Sequence, residues 1–192
     1  MSKRFDSEEY LRAWQDHGTY PAIHDAIFTA IEDHTGPDEK VVDLGASTGL
    51  LTRRMLAAGR RVVPVEPHTP SRSWGAVYGT WEGLEVHAQP VSARAGIEPF
   101  RALLEDERPT VLIARRVLPE VYEATELARP GTWQNFLDAL HESTIELIIL
   151  EGRKFSSRTT HPLGHRDREV QALGPNWRTI WTGGDVAVLE KV

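Results

Sequence analysis

Two carboxylates and a pair of glycines carry the first chemical signal. Asp43, Gly45 and Gly49 lie in Val41-Val42-Asp43-Leu44-Gly45-Ala46-Ser47-Thr48-Gly49-Leu50-Leu51-Thr52, where an apolar strand end runs into a Gly-rich turn and on into a helix. A second apolar run, Arg61-Val62-Val63-Pro64-Val65-Glu66, ends on a carboxylate. A strand–turn–helix brings backbone close to a ligand, and an acid ending the next strand accepts hydrogen bonds from ribose hydroxyls. These residues point to a pocket for an adenosine-containing ligand.

The spacing narrows the ligand. A dinucleotide-binding turn reads G-x-G-x-x-G, its middle glycine letting a pyrophosphate approach the backbone. Here the turn reads Asp43-x-Gly45-x-x-x-Gly49, and Ala46 and Ser47 stand where the extra glycine would be. A Walker loop needs a Gly-Lys-Ser/Thr ending, and none follows.

The elements that must position these residues follow from periodicity and breakers. The first 35 residues read as a helical lead-in. Asp6 or Ser7 caps a helix carrying Tyr10, Leu11 and Trp14. Pro21 suits the first turn of a second helix, with Ile23, Ile27, Ala30 and Ile31 at helical spacing. Gly36-Pro37-Asp38 breaks the chain before a first strand at 40–44. A helix over 50–58 ends at Gly59, and a second strand spans 61–66. Pro67, Pro70 and Gly75 make the next connection irregular, with Trp74 and Tyr78 on a short helix. A third strand is predicted at 84–88, a helix around Phe100, Leu103 and Leu104, and a fourth strand at 110–114. Thr132 is predicted to cap a helix with Trp133, Phe136, Leu137 and Leu140 along one face. A fifth strand spans 145–150. Runs at 177–182 and 185–190 flank Gly183-Gly184 as a β-hairpin. This alternation predicts an α/β fold, a parallel sheet covered on both faces. One domain is expected over 1–192, with the lead-in at 1–37 and the core at 38–192.

The run Asp43-Leu44-Gly45-Ala46-Ser47-Thr48-Gly49, with Glu66 closing the next strand, resembles motifs I and II of the class I (Rossmann-like) S-adenosylmethionine-dependent methyltransferases. The terminal hairpin after a parallel run is similar to that family too, and the likeness covers most of 38–192. It implies a three-layer αβα fold with a seven-stranded, mostly parallel sheet of order 3-2-1-4-5-7-6, closed by the antiparallel hairpin. It also implies S-adenosyl-L-methionine as cofactor. The turn, Gly45, Ala46, Ser47 and Gly49, would pack against its methionine part, Asp43 would lie near its amino group, and Glu66 would bind the ribose.

Ligands in an open α/β sheet sit beyond the carboxyl ends of the strands. That rule adds Pro67 and His68 after the second strand and Gln89 after the third. The family often has an acid near the adenine amino group where this chain has Gln89, which leaves that contact open. After the fourth strand come Arg115 and Arg116, then Val117-Leu118-Pro119-Glu120-Val121-Tyr122. That segment resembles the corresponding one of small-molecule methyltransferases, and Arg115 joins the expected cofactor contacts. Glu151, Gly152, Arg153 and Lys154 follow the fifth strand. Arg116 and Arg153 are candidate contacts for an acidic acceptor or for phosphates, because Arg forks pair with both; Arg158, Arg166 and Arg168 continue the cationic set in the loop before the hairpin. The alternative reading pairs these arginines with nearby Glu residues. Glu151, His68 and Glu120 are the candidate general bases, needed only if the acceptor must lose a proton.

Missing parts exclude other chemistries. The (Asp/Asn/Ser)-Pro-Pro-(Tyr/Phe) signature of nucleic-acid amino-methyltransferases is absent after the fourth strand. Cysteine is absent, which removes cytosine C5 methylation, disulfides and Cys-ligated metals. The Lys-Asp-Lys-Glu set of ribose 2'-O-methyltransferases does not map, since Arg115-Arg116 stands where its Asp belongs. His161 and His165 are spaced i,i+4, but Pro162 and Gly164 prevent a helical metal pair, so no metal is expected. A net charge of −6 argues against a duplex-binding surface. No run approaches the roughly 18 apolar residues that would span a membrane, and the N-terminus has no signal-like apolar segment. The expected setting is cytoplasmic, with no membrane partner. The expected activity is methyl transfer to an O or N acceptor on a small molecule. RNA- or protein-directed transfer is one alternative, and a non-catalytic cofactor-binding or interaction protein on the same fold is another. Tyr10, Trp14, His17 and Tyr20 are expected either to cover the cofactor or to pack the lead-in onto the sheet.

Overall fold

Val41, Val42, Val111 to Ala114 and Ile148 to Leu150 have no solvent exposure at any position. Successive strand residues face opposite sides, so such runs must be covered on both. The computed structural model describes residues 24–77, 81–88, 91, 96–152 and 161–192. Its strands are β1 (Lys40–Leu44), β2 (Arg61–Val65), β3 (Val111–Arg115), β4 (Leu147–Glu151), β5 (Trp177–Gly183) and β6 (Val186–Lys191). They form one sheet of order β2-β1-β3-β4-β6-β5. β2, β1, β3 and β4 run parallel, and β6 and β5 are antiparallel additions.

The described helices are α1 (Asp25–His34), α2 (Leu50–Ala57), α3 (Thr69–Val77), α4 (Glu98–Glu107), α5 (Leu118–Tyr122), α6 (Thr132–Glu142) and α7 (Arg166–Ala172). A π-helical turn, Glu123–Leu127, continues α5. One face of the sheet, through Val42, Leu44, Leu112, Ala114, Ile148 and Leu150, packs on Phe100 and Leu104 of α4 and Phe136 and Leu140 of α6. The other, through Val41, Val111, Ile113 and Ile149, packs on Ile27 and Ile31 of α1 and Leu51 and Met55 of α2. Three layers result.

Among the described residues the sheet has six strands rather than the seven expected. The predicted third strand at 84–88 is reduced to one parallel bridge, His87 to Val65. His87 N–H donates to Pro64 O at 3.0 Å and Glu66 N–H donates to His87 O at 2.9 Å. The next rung toward the amino end would need an N–H from Pro64, which proline lacks, so pairing stops there. The bridge sits where the third strand would, beside β2.

Three further expectations change. Thr132 does not cap α6: Gly131 occupies the cap with no side-chain bond, and Thr132 Oγ1 donates to Arg129 O at 2.8 Å. Glu126 serves the helix start instead, its Oε2 accepting from Gly131 N–H at 2.8 Å and Trp133 N–H at 3.2 Å. Arg166 and Arg168 lie on α7 rather than in a loop. The first lead-in helix, with Tyr10, Trp14, His17 and Tyr20, and Tyr78 lie outside the described residues.

Candidate functional site

Four parallel strands end side by side and deliver the charged residues. β1 brings Asp43 and the Gly turn, β2 brings Glu66, β3 brings Arg115 and Arg116, and β4 brings Glu151. The turn is left-handed at three positions, Gly45 (φ 75°), Ser47 (φ 55°) and Gly49 (φ 83°). Gly45 and Ala46 N–H groups share Val65 O at 2.8 and 3.1 Å, and Gly49 N–H reaches Ala46 O at 2.9 Å. Ser47 N–H donates to Glu66 Oε2 at 2.6 Å, and His68 N–H donates to Glu66 Oε1 at 2.7 Å. The Glu66 carboxylate thus buckles the turn after β1 to the turn after β2.

The glycines admit close neighbours. A Cβ on Gly45 would meet Val117 Cγ2 at 2.5 Å, and one on Gly49 would meet the Trp81 ring at 2.3 Å. Trp81 is fixed by its Nε1–H donating to Arg72 O at 3.1 Å, while Arg72 Nη1 donates to Glu66 O at 2.6 Å. Glu66 is nearly fully buried yet lies on the strand-end side with both oxygens engaged by amides. A carboxylate oxygen has two lone pairs, so each retains one acceptor position for a hydroxyl.

Burial raises Asp43 to about 6, with the Thr52 hydrogen bond and the Arg115 charge pulling the other way. Thr52 Oγ1 donates to Asp43 Oδ2 at 2.5 Å. Burial also raises Glu66 to about 7, against the His68 and Ser47 amides and with added repulsion from Asp43. Both groups bind a proton more tightly folded than unfolded. Their contribution to stability is therefore present below the ordinary carboxyl value near 4 and is lost as pH rises through about 6 and about 7. Carboxyl-carbon NMR titration is expected to place both midpoints above the ordinary range; a Glu66 midpoint at the ordinary 4.5 would contradict this burial.

Beyond β3, Arg115 Nε lies 3.0 Å from Glu151 Oε2 and Arg116 Nη2 lies 2.8 Å from Glu151 Oε1. His24, preceding α1, is buried beside them and is lowered to about 4 by burial first and by the charges of Arg115 and Arg54 next. It stays neutral at pH 7. The structure brings together Asp43, Gly45, Ala46, Ser47, Gly49 and Glu66 at the turn, and Arg115, Arg116 and Glu151 on the adjacent strand ends. Pro67 is exposed after β2. His68 is exposed and its Nδ1 lies 2.9 Å from Ser71 Oγ. Glu120 is exposed on α5. Gln89 and Arg153 lie outside the described residues. Sequence reading missed His24, Trp81 and Val117, none of which carries a spacing signal toward the turn.

An open groove of about 530 Å³ lies at the opposite end of the sheet, lined by Lys40, Arg61, Asp106, Glu107 and Arg108 among others. Its Lys40 is paired to Glu107 at 3.0 Å. Ligands of open α/β sheets bind at the carboxyl ends, away from this groove. Among the described residues no group of three or more His, Asp or Glu could hold a metal ion, and no helix is long and apolar enough to cross a membrane.

Sheet order, three layers and the strand-end turn define the class: the chain has a class I methyltransferase-like fold. Monomeric WbdD matches it with a TM-score of 0.60 and 14% identity, over 98% of this chain and 45% of that one. The N-methyltransferase NodS from Bradyrhizobium japonicum matches with a TM-score of 0.62 and 11% identity, over 92% and 98%. Magnesium protoporphyrin IX methyltransferase from Synechocystis, solved with bound S-adenosylmethionine, matches with 0.54 and 13%, over 96% and 84%. This chain spans less than half the length of the WbdD structure. No family model matches the chain, and no curated protein sequence matches it.

Proposed function

We propose that the chain binds S-adenosylmethionine at the turn after β1 and transfers its methyl group to an oxygen or nitrogen of a small molecule. The observation that carries the reading is the Glu66 buckle. It presents a buried carboxylate at the strand ends, already oriented by two amides at 2.6 and 2.7 Å, with lone pairs remaining for ribose hydroxyls. Asp43 adds a second buried carboxylate with one oxygen held by Thr52, suited to a cationic amino group. Bound there, the cofactor supplies an electrophilic methyl on its sulfonium. The work left to the chain is alignment of acceptor and methyl.

A second reading, cofactor binding without catalysis, has one observation in its favour. Two of the candidate bases are committed elsewhere: Glu151 to two arginines and His68 to Ser71. Calorimetry decides the shared premise. S-adenosylhomocysteine is expected to bind one to one, and Asp43→Ala to weaken it at least about tenfold, or ~1.4 kcal/mol. No binding to the unmodified chain would overturn both readings; binding without turnover of any small acceptor would select the second.

A further inference from the structure

Four features combine at Arg116. Its φ is +55°, a left-handed backbone that strains a residue with a Cβ. Its N–H donates to Glu151 O at 2.7 Å, which holds that conformation just beyond the β3–β4 ladder. Its Nε is buried and donates to nothing among the described residues. Its guanidinium shares a carboxylate that Arg115 already occupies, Nη2 to Glu151 Oε1 and Arg115 Nε to Glu151 Oε2.

The sharing is unequal. The Arg115 side chain is 19% exposed and that of Arg116 34%, over a Glu151 side chain at 5%. If Arg116 swings away, Arg115 still neutralises the buried carboxylate. Arg115 is the more buried of the two cations. Two cations thus share the one Glu151 carboxylate, with neutral His24 beside them. Buried donors without acceptors are uncommon and costly, so the present position of Arg116 is one it gains by leaving when an acceptor arrives.

The geometry points to Arg116 as the anchor of an oxyanion on the methyl acceptor, a carboxylate or phosphate whose two oxygens take Nε–H and an Nη–H together while Arg115 stays on Glu151. The fork of a guanidinium matches such an oxygen pair. The word acceptor rests on the methyltransferase reading; the oxyanion site does not.

The test is the Nε–Hε spectrum of arginines in the full chain, with the Arg116 and Arg115 signals identified by their loss in Arg116→Lys and Arg115→Lys. Inorganic phosphate or acetate is titrated against sodium chloride at constant ionic strength. The Arg116 signal is expected to shift saturably with at least one of the two anions and the Arg115 signal to stay. The anion that saturates first tells phosphate from carboxylate. Thermal melts give a second readout: phosphate or acetate should raise the midpoint of the unmodified chain and not that of Arg116→Gly, whose glycine suits the left-handed backbone. An Arg116 signal that moves no more than in chloride, a shift confined to Arg115, or equal stabilisation of Arg116→Gly would overturn the inference. Calorimetry with S-adenosylhomocysteine separates the two readings. If it fails to bind while Arg116 responds, the cofactor reading falls and the oxyanion site stands. If it binds while Arg116 is silent, only the oxyanion site falls.

Discussion

Gly49→Ala should lower stability by about 2–5 kcal/mol, the sum of a left-handed φ on a residue with a Cβ and of overpacking. The first part comes from φ 83° at the residue preceding α2. The second comes from the Trp81 ring, 2.3 Å from the new methyl and unable to retreat without breaking its bond to Arg72 O. Urea unfolding measures the total. A double-mutant cycle separates the parts: in a Trp81→Ala background the same change should cost only the backbone share, about 1–2 kcal/mol. An equal cost in both backgrounds would show that Trp81 does not press on the turn.

Glu66→Gln is the second large effect. Both carboxylate oxygens accept from amides, Ser47 N–H at 2.6 Å and His68 N–H at 2.7 Å. A glutamine must turn its NH₂ toward one of them, donor against donor, at a cost of about 1–3 kcal/mol. The buckle between the two turns opens, and the proposed ribose contact loses its oriented acceptor. Urea unfolding should show the stability loss, and calorimetry should show S-adenosylhomocysteine affinity falling at least about tenfold. A variant as stable as the parent with undiminished affinity would remove Glu66 from the site.

The turn was legible because its signals are local. Asp43, Gly45, Gly49 and Glu66 stand at fixed offsets on two strands that pair in register, so reading the strands placed the residues. The third strand was misread because Leu84-Glu85-Val86-His87 has strand-like composition, while the obstacle lies in a different segment. Pro64 leaves the β1 ladder intact and lacks its N–H on the side facing His87. The α6 cap was misread for a similar reason: Thr132 is a good capping type, but Glu126 reaches the Gly131 and Trp133 amides from the preceding turn and Gly131 occupies the cap. α7 carries too few apolar residues for periodicity to reveal it, only Val170 and Ala172 packing on the core. Arg115 and Glu151 pair across 36 residues of sequence, and sequence could offer the pairing of Arg115 and Arg116 on Glu151 only as an alternative to acceptor binding.

The margins of the sheet have a consequence for the chain in crowded solution. On one side Pro64 halts the ladder after a single bridge. On the other, β5 changes register between Thr179 and Trp181, so that Ile180 stands outside the pairing with β6. Among the described residues neither border offers a long, regular row of amides and carbonyls to a stray strand. Ile180 and Trp181 are exposed on the β5 side, and the kink keeps that exposed apolar pair from forming a regular edge on which another strand could add.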